Sequence, residues 1–486
     1  MVPNCETLRR STLERLEQFH RDGGTLIFMG KPPVCVDAVP DSAPIELAKQ
    51  ANIIPFERSA ILSALSEFRD IVLRNEDGSE VSDLLYQQRE DSDGRWLFLA
   101  QGKKPDTTDD MTARTIRLEV GGDWTLEIYN TMSGDIKPLY PKYLDEKTVV
   151  TISMYPHDSL LLRLTKGKSE KATAVSNVNF KPENQLTIPK ENSFTLSEPN
   201  ALLLDMAEYK LDDEPWQPAE EILRLDRRCR EKLNWQGGIQ PWLIPDEAPA
   251  HTLSLRFRIE SDIAISGVHL ALENAQKANI VWNGETISNR TDGWYVDQDI
   301  HTLPIPYVKM GENILELEIP FEKKETAEWC YLLGDFGVEV HGGEKRLVKQ
   351  ANYLSFGSIV PQSLPFYSGA VTYHIPFSAS DAGILSVRVP NYHAALLKCS
   401  VDNGEESQIA FSPYEMKVEV AEGEHMLHLT AYINRTNGFG PVHNANPNLK
   451  WFGPDAWKST GDFWTYEYVL QEEGVMSAPV LTLTTY

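Results

Sequence analysis

Five cysteines in 486 residues (Cys5, Cys35, Cys229, Cys330 and Cys399) are odd in number and scattered, with no C-x-x-C pair and no Cys/His cluster. That disfavours both a thiolate zinc site and a disulfide framework. Basic residues are scarce too: 46 Lys and Arg stand against 71 Asp and Glu, a net charge of −25. Nucleic acid and anionic membrane surfaces call for a basic face, so neither is an expected partner. No run of 18 apolar residues occurs, and the opening MVPNCETLRRSTLERL lacks the apolar core of a signal peptide. The chain therefore reads as cytoplasmic, and the sequons Asn289-Arg290-Thr291 and Asn434-Arg435-Thr436 as chance matches. Familiar catalytic signatures are missing as well. There is no G-x-S-x-G elbow, H-E-x-x-H, P-loop or strand-borne G-x-G-x-x-G. Nor does any stretch alternate strand and helix as a (β/α) barrel would.

What is present suffices for several cores. Apolar residues make up 41% and aromatics 9%, which argues against disorder, and the length suits roughly three or four domains. The stretch from Gly267 to Glu318 organises the rest. Asn283-Gly284 lies between Ala278–Trp282 and Glu285–Ile287, the pattern of a two-residue hairpin turn in which both residues need φ > 0. Gly311-Glu312-Asn313 then opens an alternating strand that runs to Ile319. Near the C-terminus Asn403-Gly404-Glu405 is followed by Gly423-Glu424-His425 and Met426–Thr430. The arrangement recurs, with 28 residues between the turns in the first copy and 20 in the second. Two β-sandwich modules of one kind are implied.

The N-terminal region is of another type. Ser11 and Glu14 have capping-box spacing ahead of a helix whose Leu13, Leu16 and Phe19 share a face, and Gly23-Gly24 ends it. Thr25–Gly30 reads as a strand buried on both faces of a parallel sheet, yet no strand precedes the helix. Asn52–Phe56 suggests a second strand and Ser59–Leu73 a second helix, so a partial flavodoxin-like α/β domain truncated at its start is expected. From Arg95 the pattern turns all-β, with strands at Trp96–Leu99, Thr115–Val120, Trp124–Tyr129 and Val149–Ile152 separated by polar turns. Further on, Ala201–Met206 reads as a buried strand and Ala219–Leu233 as a helix with Ile222, Leu225, Cys229 and Leu233 inward and a charged, solvated outer face. The expected fold is mostly β: tandem β-sandwich modules of galactose-binding or jelly-roll type after a partial α/β domain. The boundaries expected are 1–78 (α/β), 79–168 (antiparallel sandwich), 169–194 (linker), 195–345 (first module, helix 219–233) and 346–486 (second module).

Aromatic and polar residues concentrate in three loops of these modules. They are Asp292–Asp297 with Trp294, Tyr295 and Asp297; Gln362–Gly369 with Tyr367; and Asn434–His443 with Asn437 and His443, followed by Trp451 and Trp457. An aromatic face against a sugar's C–H surface, with planar polar partners for its hydroxyls, is the chemistry of carbohydrate recognition. Aromatics capping the end of a sandwich core would look the same in sequence, and His443 reads more readily as a hydrogen-bonded structural histidine than as a catalyst. Acid-rich loops permit a structural calcium ion, although no spacing identifies one.

Several stretches resemble the C-terminal half of large bacterial glycoside hydrolases of the α-L-rhamnosidase type (family 106). They are VPNCETLRRSTLERLEQFHRDGGTLIFMG, EPNALLLDMAEYKLDDEPW, NIVWNGETISNRTDGWYVD, YLLGDFGVEV, LPFYSGAVTYHIPF, NRTNGFGPVHN and WFGPDAW, in that order over nearly the whole chain. The resemblance implies a catalytic barrel first, then a flavodoxin-like domain, then sandwiches like the sugar-binding domain of family 2 enzymes. No segment matches the barrel that carries the catalytic acid and base, so no catalytic residue carries over. An accessory, non-catalytic region that supports a barrel encoded elsewhere and binds an oligosaccharide is the expectation. The alternatives are a self-sufficient glycosidase using loop carboxylates such as Asp297, Asp335, Asp462 or Glu467, and a scaffold that binds no sugar.

Overall fold

The computed structural model describes residues 1–103, 112–168, 184–235, 244–245, 249–389, 391–449, 453 and 456–485, and strand counts below refer to these. The chain forms two compact units, one within residues 1–168 and the other within 184–485. Among the described residues no helix is long and apolar enough to cross a membrane.

The first unit opens with α1 (Arg10–Arg21), followed by β1 (Ile27–Met29), α2 (Ala43–Lys49), β2 (Asn52–Ile54) and α3 (Arg58–Ala64). Helix α1 does not use the expected capping box. Its N-cap is Arg9, with no side-chain cap bond, and the Arg10 amide instead donates to Asp37 Oδ1 at 3.2 Å. At the other end Gly23 (φ +86°) lets the Gly24 amide return to the Phe19 carbonyl at 2.9 Å. Strand β1 runs parallel to β2, and Val2 forms a parallel bridge to Phe28 on its opposite edge. Val2, Leu13, Leu26, Phe28, Val36, Leu47 and Ala48 make this small core. Helix α3 stops at Ala64, short of the expected Leu73. Residues 71–75 form the next strand instead, because the sandwich that follows takes the Ile71 and Leu73 side chains into its core.

That sandwich packs two antiparallel sheets. One contains β4 (Leu84–Glu90), β5 (Gly94–Gln101), β7 (Trp124–Tyr129), β8 (Ile136–Leu139) and β11 (Ser159–Lys166), in the order β8-β7-β11-β5-β4. The other contains β3 (Ile71–Asn75), β6 (Arg114–Gly121), β9 (Lys142–Leu144) and β10 (Lys147–Met154), in the order β9-β10-β6-β3. Alternate residues point inward, as a period of two demands, so Leu97, Leu99, Ile116, Leu118, Leu162 and Leu164 meet in a core with no exposure.

The second unit holds two modules that share one strand order, the first adding the strand Gly293–Tyr295 at a sheet edge and the hairpin 337–348. The first comprises β14 (Asn200–Leu204), β15 (Met206–Leu211), β16 (Gln217–Glu221), α4 (Ile222–Lys232), β17 (His251–Ser261), β18 (His269–Glu273), β19 (Asn279–Trp282), β20 (Glu285–Ile287), β21 (Gly293–Tyr295), β22 (Asp297–Pro304), β23 (Gly311–Phe321), β24 (Cys330–Gly334), β25 (Gly337–His341) and β26 (Glu344–Val348). The second is built from β12 (Asn184–Gln185), β13 (Glu191–Leu196), β27 (Tyr353–Ser355), β28 (Ala370–Ala379), β29 (Gly383–Arg388), β30 (Leu396–Val401), β31 (Ser407–Ile409), β32 (Glu415–Val420), β33 (Gly423–Tyr432), α5 (Thr436–Phe439) and β34 (Val480–Thr485). One sheet runs β16-β15-β17-β23-β19-β20 in the first module and β27-β13-β28-β33-β30-β31 in the second. The facing sheets run β14-β24-β18-β22-β21 and β12-β34-β29-β32.

Register makes the repeat residue-specific. Ser261 faces Gly311 as Ala379 faces Gly423, and Trp282 faces Leu315 as Val401 faces Leu427. Asn283-Gly284 forms the expected turn with φ of 50° and 86°. Its structural counterpart is Asp402 (φ 52°), one residue before the Asn403-Gly404 pair that sequence suggests. Asn283 and Asp402 make the same bonds, with the backbone amide to the partner carbonyl and Oδ1 accepting from the Ile314 or Met426 amide.

One boundary differs from the sequence reading. Residues 184–185 and 191–194, read as the end of a linker, lie in strands β12 and β13. They pair with β34 and with β27 and β28 of the second module. The first module is thus inserted within the second, between β13 and β27. Strand pairing over such a separation leaves no local signal, since register is set only once both modules fold. The helix also starts later than expected, at Ile222, because Gln217–Glu221 pairs with β15. Ile222, Leu225 and Cys229 are buried as the pattern implies.

Candidate functional site

The long connection from β33 to β34 reaches the first module. Its Phe439 and Trp457 join Leu223, Glu273, Ile300, Glu328, Trp329 and Tyr331 around a cavity of about 160 Å³. A smaller cavity of about 50 Å³ adjoins it and shares Glu273, Glu328 and Trp329. A larger one, about 230 Å³, lies beside Trp235 and Phe321.

The wall of the 160 Å³ cavity is aromatic by construction. Tyr331 lies on the fully buried strand β24, and its ring meets Phe439 at 5.1 Å and Tyr295 at 5.5 Å, while its hydroxyl donates to the Gly438 carbonyl at 3.2 Å. Tyr295 also lies 5.8 Å from Phe439. A bulge aims Tyr295 inward: the register shifts after Trp294, and Val296 takes φ +63°, a strained conformation for a β-branched residue. The Trp329 indole N–H donates to Glu221 Oε1 at 2.8 Å. Glu221 in turn caps α4 by accepting from the Arg224 amide at 3.1 Å, so the tryptophan is held by the end of a helix.

Two carboxylates stand at the rim. Glu328 is exposed as a residue, but lost hydration where its carboxyl packs among its neighbours pushes it up to about 6; a hydroxyl bond from Thr326 lowers it, and the neighbouring charges of Glu273, Asp226 and Glu221 raise it. Glu273 is raised by burial and then by Asp299, Asp297 and Glu325. No basic side chain lines this cavity among the described residues. Aromatic faces beside carboxylate acceptors can hold a sugar ring and its hydroxyls.

Behind this wall lies a buried polar network. Asp205, with no exposure, ends β14, and its Oδ1 accepts from Lys345 and from the Tyr468 hydroxyl at 2.8 Å. Its Oδ2 meets His443 Nε2 at 2.8 Å, and Lys345 Nζ donates to the Tyr468 hydroxyl at 2.7 Å. Burial alone would raise the Asp205 carboxyl, but the Lys345 charge and the His443 bond outweigh it and hold the group well below the carboxylate range. Nearby, Glu220 accepts from Arg224 Nε at 2.9 Å, from Arg228 and from the Tyr466 hydroxyl at 3.0 Å. Arg224 also lies 4.8 Å over the Trp464 ring. The charged face of α4 is therefore partly an internal joint between the modules and not simply a solvated surface.

The sequence-predicted residues separate cleanly. Trp457 lines the cavity, Tyr295 backs it, and Asp297 faces Glu273 through its charge. Trp294 sits on strand β21, 58% exposed and outside the cavity wall. Tyr367 is buried, its hydroxyl donating to the Ala370 carbonyl and accepting from the Ser197 amide. Asn437 is buried and pins the Gln471 backbone through two 2.8 Å bonds. His443 is buried between Asp205 and the Glu467 carbonyl. Trp451 lies outside the described residues. Of the alternative carboxylates only Asp297 comes near this site. Glu273, Glu328 and Trp329 carry no sequence motif, and only the acidic, aromatic run Glu325–Tyr331 before a buried strand hints at them. Among the described residues no group of three or more His, Cys, Asp or Glu side chains is placed to hold a metal ion.

No protein-family model and no curated protein matches the chain. Among solved structures it is similar to a rhamnosidase from Novosphingobium sp. PP1Y, at 14% identity and a TM-score of 0.27, over 65% of this chain and 29% of that one. It is also similar to an exo-carrageenase of glycoside hydrolase family 42 from Bacteroides ovatus, at 11% identity and a TM-score of 0.21, over 33% of this chain and 21% of that one. A family 31 alpha-xylosidase from Xanthomonas citri shows 8% identity and a TM-score of 0.13, over 82% of this chain and 32% of that one. The chain thus spans less than a third of the rhamnosidase's length.

Proposed function

We propose that this chain is an accessory, non-catalytic region of a glycoside hydrolase of the α-L-rhamnosidase type, and that its inter-module cavity holds a sugar ring. The observation carrying the reading is the cavity itself, with Trp329, Trp457 and Phe439 on its wall and the carboxylates of Glu273 and Glu328 at its rim. The motifs quoted above support the family assignment, and the described strands form sandwiches with no (β/α) barrel. In this reading the partner is a catalytic barrel supplied from outside the described fold.

One observation favours a second reading, a self-sufficient glycosidase. Glu273 and Glu328 share one cavity and both are raised, and a carboxyl near 6 suits a general acid. Hydrolysis of aryl glycosides, including aryl rhamnosides, by the purified chain separates the two. The accessory reading expects no turnover; turnover abolished in Glu328→Gln would establish the enzyme.

A further inference from the structure

The outer face of the second module carries a feature that the sugar site does not use. On β28 the residues Val371, Tyr373 and Ile375 point into the core, so Thr372 and His374 point out; on β33 Leu427, Leu429 and Ala431 are buried and His428 and Thr430 point out. His374 and His428 are direct cross-strand partners, and their Nδ1 atoms stand 2.8 Å apart. On the far side of the His374 ring, Nε2 lies 3.2 Å from Thr195 Oγ1 on β13. A His374 tautomer protonated on Nε2 gives that proton to Thr195 and leaves its Nδ1 lone pair facing His428. The next outward pair, Thr372 and Thr430, is joined at 2.9 Å, which fixes the two strands locally. Ser193 and Ser400 complete the row on the flanking strands.

We propose that His374 and His428 form a two-nitrogen chelate for a borderline transition-metal cation of the Cu2+ or Ni2+ kind. Metal–imidazole bonds of about 2.0–2.1 Å place two nitrogens about 2.9 Å apart at a right-angled position and about 3.4 Å apart in a tetrahedron. The observed spacing matches the right angle, the preference of tetragonal Cu2+ and Ni2+, whereas a tetrahedral Zn2+ would require the strands or rings to part. Thr195 is the outer partner that orients the first ring. On binding, the proton that the two Nδ1 atoms share moves by way of solvent to His428 Nε2, so both rings stay neutral and bind through Nδ1, and water fills the remaining positions. Hard cations such as Mg2+ gain nothing from two imidazoles.

The test titrates the full, untagged chain with Cu2+, followed by calorimetry and electron paramagnetic resonance, with Mg2+ as control. The expected result is one saturable Cu2+ per chain whose spectrum shows two equatorial imidazole nitrogens. His374→Asn and His428→Asn each remove that signature without lowering Tm, Thr195→Val weakens binding by about tenfold, and His341→Asn, at an exposed turn, changes nothing. A spectrum unaltered in His374→Asn and His428→Asn, or one showing a single nitrogen in the unmodified chain, overturns the proposal and leaves a hydrogen-bonded histidine pair only.

Discussion

Replacing Lys345 by Met tests the joint between the two modules. Lys345, on β26, is the Lys or Arg side chain among the described residues that bonds directly to Asp205, which His443 also meets. Its side chain is 13% exposed and that of Asp205 not at all. Removing one partner of such a pair strands the other charge in the interior, at a cost of about 3–5 kcal/mol. Two hydrogen bonds to Asp205, from Tyr468 and His443, survive in the variant, so the lower end of that range is expected. The pH dependence has a definite sign. In the parent the Asp205 carboxyl is depressed, so its contribution is present above the unfolded value of 3.8 and is lost only as pH falls through the lower folded value. In Lys345→Met the main depressing charge is gone, the folded value rises, and destabilisation is greatest at neutral pH and shrinks in acid. A second variant, Asp205→Leu with Lys345→Met, removes both charges and should recover part of the loss. Urea denaturation at pH 7 and pH 4 measures all of these. A change below about 1 kcal/mol in Lys345→Met, or a double variant less stable than the single, would refute the reasoning.

Other perturbations have equally definite outcomes. Glu473, 3% exposed, has its carboxyl raised to about 8 by burial alone, so its neutral form suits the fold and its contribution fades as pH rises from the unfolded range through about 8. Glu473→Gln should hold its Tm between pH 7 and 9 while the parent falls by on the order of 5 °C; parallel curves by scanning calorimetry would contradict this. Gly284 takes φ +86° in the Asn283-Gly284 turn with open space where a Cβ would stand, and Gly284→Ala should cost about 1 kcal/mol from the left-handed backbone alone, read by chemical denaturation; Gly404, whose φ is not positive, escapes that penalty, but an added Cβ there would stand 2.9 Å from the Val401 carbonyl oxygen. Leu332 is buried without exposure in the core of the first module, and Leu332→Ala should cost about 2–5 kcal/mol by the same assay.

The parts legible in sequence were those written in local chemistry. The Asn283-Gly284 turn, the buried runs at Ala201–Leu204 and Ile116–Val120, and the inward stripe of α4 all follow from φ requirements and side-chain period. The second turn was displaced by one position because Asp402 supplies the left-handed residue and its own Oδ1 bond, leaving Asn403-Gly404 looking like a turn that another residue makes. Insertion of one module inside the other could not be read, since β13 finds β28 across the whole first module. Of the residues in the aromatic loops, Tyr295 and Trp457 come to the cavity, whereas Tyr367, Asn437 and His443 hold backbone and core. Glu273, Glu328 and Trp329 were invisible for the opposite reason: they carry no local pattern and come to line one cavity only where a loop of the other module brings Trp457 and Phe439 beside them.

Calorimetric titration of the chain and of Trp457→Ala with rhamnose-containing and other neutral oligosaccharides tests the account most directly. The cavity reading predicts saturable binding in the parent that weakens by about tenfold, ~1.4 kcal/mol, in Trp457→Ala, with a similar loss in Trp329→Ala. Binding of equal strength in the parent and both variants would place the sugar elsewhere, and heat-silent titrations across the panel would contradict the claim that this cavity takes a sugar at all.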